Sequence, residues 1–125
     1  MKASLNFLHH QSNDWNRELE FYKDEIAVLA KRLEEAASKN TSKEILAQVE
    51  HFQNKFIMLR EQVDVLKHDV SAYAKSIEDI VKDKPEHTNE KSSSTNEALL
   101  ERVNDLAKSL ANTRFEFNGF LANTL

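Results

Sequence analysis

The chain is expected to be all-α, an up-down-up antiparallel bundle of three long helices. Two observations predict this. Glycine and proline occur once each, at Gly119 and Pro85, so few tight turns can interrupt the chain. Apolar residues also recur at alternating steps of three and four through three long stretches, the period that draws one stripe along a helix. Charged residues of both signs make up 30% of the 125 residues, which suits the solvated outer faces of such helices.

The first stripe runs Leu5, Leu8, Ser12, Trp15, Leu19, Tyr22, Ile26, Leu29, Leu33 and Ala36. Only Ser12 interrupts its apolar character. The second runs Ile45, Val49, Phe52, Phe56, Leu59, Val63, Leu66, Val70, Tyr73, Ile77 and Ile80, and the third Leu99, Val103, Leu106, Leu110, Thr113, Phe117, Phe120 and Thr124. An average step of 3.5 residues implies coiled-coil heptads with a left-handed supercoil.

Polar punctuation sets the ends. Ser4 suits a first cap. Thr41-Ser42-Lys43-Glu44 and Ser94-Thr95-Asn96-Glu97 each have the form of a capping box, with hydroxyl and carboxylate satisfying one another's amides. Asn40 suits a left-handed helix terminus. Lys82 and Lys84 favour the negative end of the second helix, and Pro85 stops it. The reading is one domain over residues 1–125: a first helix over about 4–38, a second over about 41–84, a mobile loop over about 85–94 and a third helix over about 95–122. The short first link forces a hairpin. With its tip near residue 40, position n of the first helix is level with about 80 − n of the second.

Self-association, a dimer first, is expected for two reasons. The third helix is the shorter one, so the hairpin tip, with Leu29, Leu33, Ile45, Val49 and Phe52, is left with two helices over roughly 18 Å. The first two helices also carry apolar residues beyond the stripe. Phe7, Phe21 and Val28 lie on one line at multiples of seven, and Met58, Val65 and Ala72 on another, joined by Ile57. Such a wide apolar arc fits a helix that touches several neighbours. The run Arg114–Leu121 adds Phe115 off the stripe and Gly119 near the end. It reads as a final turn that frays or as a segment that docks on a protein partner.

Other activities are disfavoured by residue type. The net charge of −4 without a basic block argues against nucleic acid. Cysteine is absent, which removes disulfides and thiolate chemistry. The longest apolar run is Ile26–Ala30, too short for a membrane span. The opening Met1-Lys2-Ala3-Ser4-Leu5 lacks a signal-peptide core, so a cytoplasmic location is expected. No phosphate loop or nucleophile motif occurs, so neither catalytic residues nor a cofactor are expected. The alternative is a metal- or small-ligand-binding bundle. His10/Asp14 and Asp64/His68 have ligand-pair spacing, with His9, Glu18 and Asp69 nearby. Against it, the register puts these pairs on the outer halves of their helices, and no Glu-x-x-His occurs.

The stretch from Asn40-Thr41 through Val49-Glu50-His51-Phe52-Gln53-Asn54-Lys55-Phe56-Ile57, then Leu66-Lys67-His68-Asp69, resembles a group of small bacterial helical proteins of unknown function. So does Trp15-Asn16-Arg17-Glu18-Leu19-Glu20-Phe21-Tyr22. The resemblance covers the first two helices and implies no activity. The three-helix layout, with a Trp on the first helix, also resembles a spectrin repeat in architecture. The expected role is that of a non-enzymatic bundle acting through protein–protein contacts.

Overall fold

The computed structural model describes residues 4–83 and 90–124, apart from the side chains at 81, 83 and 90–93. It contains three helices, α1 (Leu5–Lys39), α2 (Lys43–Asp83) and α3 (Glu90–Thr124). They pack as an antiparallel bundle around one core. Every described residue of the three stripes is buried or half-buried, so the steps of three and four mark the inward face of each helix.

The helix ends differ from expectation by physical detail. Ser4 does cap α1, accepting from the Phe7 amide at 3.2 Å. At the second start the cap is Ser42 rather than Thr41: its hydroxyl accepts from the Ile45 amide at 3.2 Å, so α2 begins at Lys43. Asn40 is extended (φ −134°, ψ 127°), not left-handed. It closes α1 with its side-chain amide, which donates to the Ala36 carbonyl at 2.9 Å. The Ser94–Glu97 box caps nothing, because α3 begins at Glu90. Of the expected loop over 85–94, residues 90–94 are therefore helical and 85–89 lie outside the described residues.

Cross-helix pairs fix the register. Asn16–Ser71, Glu20–Lys67 and Lys23–Asp64 place position n of α1 level with about 87 − n of α2. The extended link raises α2 relative to α1, which moves the level rule away from 80 − n. Arg102–Asp69 and the ring contact Phe52–Phe120 align α3 antiparallel to α2. Asn96–Gln11 and Arg114–Glu25 align it parallel to α1.

One consequence concerns the hairpin tip. α1 and α3 are both 35 residues long, against 41 for α2. The register carries the end of α3 level with about residue 48 of α2. The tip is therefore covered by three helices, not two. Leu29, Leu33, Val49 and Phe52 are buried within the single chain, and Ile45 is half-buried. The expected shortfall disappears because α3 starts earlier and runs through Gly119 without a break.

The core changes character along its length. At the tip end, Phe52 and Phe56 of α2 meet Phe117 and Phe120 of α3, with ring centroids 5.2–5.3 Å apart across the helices. At the other end a polar group is enclosed. Asn96, 8% exposed, donates to the Gln11 side-chain carbonyl at 2.8 Å and is also bonded to Tyr73. Two hydroxyls on the stripes are satisfied by their own helices, Ser12 by the His9 carbonyl at 2.7 Å and Thr113 by the Ser109 carbonyl at 2.8 Å.

Candidate interaction surface

The proposed metal ligands do not converge. His10 and Asp14 are level with about residues 77 and 73 of α2, well beyond Asp64 and His68. Each acid has another partner: Asp14 pairs with Arg17 and Asp64 with Lys23 at 3.6 Å. His68 is exposed and lies 3.3 Å from Asp69, while His10 is exposed beside the ring of His9. Among the described residues no group of three His, Asp or Glu side chains is placed to hold a metal ion. Among them too, no helix is long and apolar enough to cross a membrane. Trp15 and Ser12 are both buried in the core.

The charged side chains act as struts. The Lys67 ammonium bonded to Glu20 holds that carboxyl below its ordinary range. Arg102, and then His68, do the same for Asp69. Arg114 of α3 is bonded to Glu25 of α1. Tyr22, beside this strut, donates its hydroxyl to Glu18, and burial together with that carboxylate pushes its pKa up to about 12. Burial also raises Tyr73, opposed by its bond with Asn96. The Lys67–Glu20, Arg102–Asp69 and Arg114–Glu25 pairs tie helices together, while Tyr22–Glu18 lies within α1.

The surface that remains unusual is apolar. Phe7, Phe21, Val28, Ile57, Met58 and Val65 are all exposed, as the sequence pattern anticipates for the lines outside the stripe. Leu46, Leu100 and Phe115 join them. Of the predicted contact residues, Leu29, Leu33, Val49 and Phe52 belong to the chain's own core and cannot meet a partner without opening it.

The exposed residues lie on distinct faces. Phe7 and Phe21 are each four residues before a residue that bonds α3, namely Gln11 and Glu25, and Val28 is three after Glu25. That row therefore follows the α1–α3 edge. Met58 and Val65 line a shallow cleft between α2 and α3 with Arg102 and Ser109. Ile57 stands on the opposite side, at a groove between α1 and α2 with a volume of about 560 Å³. Ile26, Leu33 and Phe56 form its floor, and Ala27 and Ala30 keep its α1 wall low.

Two of these features were missed by pattern alone. Asn96 continues the third stripe three residues before Leu99, but its polarity disguised it as a cap residue. The α1–α2 groove depends on which side α3 covers, and no single stripe records that. Comparison of the chain with protein-family models, with curated proteins and with solved structures finds no match.

Proposed function

We propose that this chain is a non-enzymatic bundle that works through protein–protein contacts in the cytoplasm, and that its first partner is a second copy of itself. The observation that supports this reading is the ordered exposure of large apolar side chains on a chain whose own core is already filled. Single exposed apolar residues are ordinary on any protein surface. Rows are not: Phe7, Phe21 and Val28 repeat at multiples of seven along α1, and Met58 and Val65 at seven along α2. Large apolar side chains that recur along one edge of a small domain are costly to leave in water and favour a contact there. The same repeat is what coiled-coil heptads use when a further helix joins a bundle.

Association would remove these rows from water while the core stays as it is. Sedimentation velocity over a hundredfold range of concentration tests the reading. A mass that rises from monomer to dimer, with a melting temperature that rises in step, is the expected result. A monomer at every concentration, with a constant melting temperature, would falsify it.

A further inference from the structure

We propose that the first turn of α3, residues 90–93, is a lid that opens and closes over the end of the bundle away from the hairpin tip, and that Ser94 caps the helix when the lid is open. This goes beyond self-association and concerns one chain by itself.

Two starts fit the same helix. The structure begins α3 at Glu90. Ser94-Thr95-Asn96-Glu97, one turn further on, has the form of a capping box. With the chain ahead of it unwound, the Ser94 hydroxyl can accept from the Glu97 amide, and the Glu97 carboxylate from the Ser94 amide. Ser94 and Glu97 are both exposed, so neither has to leave the core to do so. Asn96 is helical with either start and keeps its bonds with Gln11 and Tyr73. The lid therefore ends where that polar group anchors the helix.

The longer start is held by opposed terms. From Glu90 to Glu97 the sequence has no apolar residue, and Ser92, Ser93, Ser94, Thr95 and Asn96 are of types that favour caps and turns over helix interiors. The first apolar core residue of α3 is Leu99. What the longer start gains is cover. The Asn96–Gln11 and Arg102–Asp69 contacts put residues 90–93 level with about 5–8 of α1 and about 78–81 of α2. There Leu5 and Leu8 are each 1% exposed, Ile77 is buried and Ile80 is half-buried. Opening gives these side chains to water. Closing holds a run of poor helix formers in a helix. The gain and the cost offset one another, which is the condition for two populated forms. In the open form Leu5 and Leu8 join Phe7, exposed in both, and enlarge the apolar surface at the start of α1.

Two variants move the lid in opposite directions. Ser94→Ala removes the cap of the shorter helix and favours the interior of the longer one, so it closes the lid. Thr95→Pro opens it. Proline suits the first position of a helix capped by Ser94 but breaks a helix that began at Glu90. Carbon chemical shifts of residues 90–93 read the helical fraction, which should be intermediate in the natural chain. The ratio of open to closed should fall at least threefold in Ser94→Ala. In Thr95→Pro the four residues should read as coil while residues 99–120 keep their shifts, and fluorescence of an added apolar dye should at least double. Residues 90–93 that are wholly helical or wholly coil in the natural chain, or that ignore Ser94→Ala, overturn the two starts. Shifts that move as far as Phe120 in a folded Thr95→Pro show that α3 detaches as a whole, which overturns the lid, as does unchanged dye fluorescence. If Thr95→Pro does not fold, Ser94→Ala decides alone.

Discussion

The two ends of the bundle solve the same packing problem with different chemistry. At the tip end four phenylalanines from α2 and α3 interlock, while α1 contributes Leu29, Leu33 and the small Ala36. At the opposite end Gln11, Tyr73 and Asn96, one from each helix, share a hydrogen-bonded group inside the core. The aromatic end gains more from burial, since each ring removes a large apolar area from water. The polar end gains less, because a buried amide only recovers the hydrogen bonds that it gave up in water. What it adds is discrimination: Asn96 is bonded to both Gln11 and Tyr73 in this alignment, and a slide of the helices would break those bonds. A polar residue on an apolar seam fixes register in this way, at a cost in stability. The aromatic end therefore supplies stability, and the polar end supplies alignment.

The largest expected effect tests the first half of that division. Phe117 is fully buried against Phe52, Phe56 and Phe120. Phe117→Ala should cost about 3–5 kcal/mol, from lost transfer energy and the cavity left between α2 and α3. Urea denaturation measures it. A loss below about 1 kcal/mol would mean that the end is loosely packed and that the comparison fails.

Asn96 tests the second half through two substitutions. Asn96→Ala should cost about 1–2 kcal/mol, because it removes the shared bonds and leaves Tyr73 and Gln11 to find others. Asn96→Leu loses the same bonds but buries an apolar side chain on the stripe, so it should melt higher than Asn96→Ala. The price is alignment, visible as extra or broadened amide resonances in a nitrogen–proton correlation spectrum. A single sharp set of resonances from Asn96→Leu would show that the register is held elsewhere.

Much of this was legible in the sequence, and the rest was not for identifiable reasons. The stripes were legible because a buried helix face must repeat at its own period, and even Ser12 and Thr113 keep their places. The start of α3 was not, because Ser94-Thr95-Asn96-Glu97 offers the same side chains whether it caps a helix or continues one. Nor was the register of the hairpin, which depends on the extended conformation of Asn40. An error of a few residues there was enough to place His10 near His68 when they are more than two turns apart in level. The exposed rows could be read as lying off the stripe. Which neighbour each row borders required the position of α3.

Between the two ends, Tyr22 gives a smaller and pH-dependent effect. Its pKa is raised to about 12, first by burial and then by Glu18, against an ordinary value near 10. A raised folded pKa means that the unfolded chain ionises first. The stabilising contribution is whole below pH 10 and is lost as pH rises from about 10 to about 12. Lysines titrate in the same range, so the informative quantity is the difference between the natural chain and Tyr22→Phe. The natural chain should lose more of its melting temperature over this interval. Equal losses would show that the phenol is as free to ionise in the bundle as in the unfolded chain.

The smallest effect returns to the aromatic end and has the opposite sign. Gly119 lies within α3, between Phe117 and Phe120, on the exposed face of the helix. It has no positive φ, and a Cβ built there meets nothing within 4 Å. Nothing in the native conformation therefore requires glycine. Gly119→Ala should stabilise the chain by about 0.5–1 kcal/mol, by reducing the freedom of the unfolded backbone. The gain should also be local. Amide exchange should slow in the last turns of α3 and leave the region around Asn96 unchanged, because the substitution touches only the end that carries the phenylalanines. Equal slowing at both ends would show that the bundle opens as a single unit, and the division between a stabilising end and an aligning end would then hold for packing but not for motion.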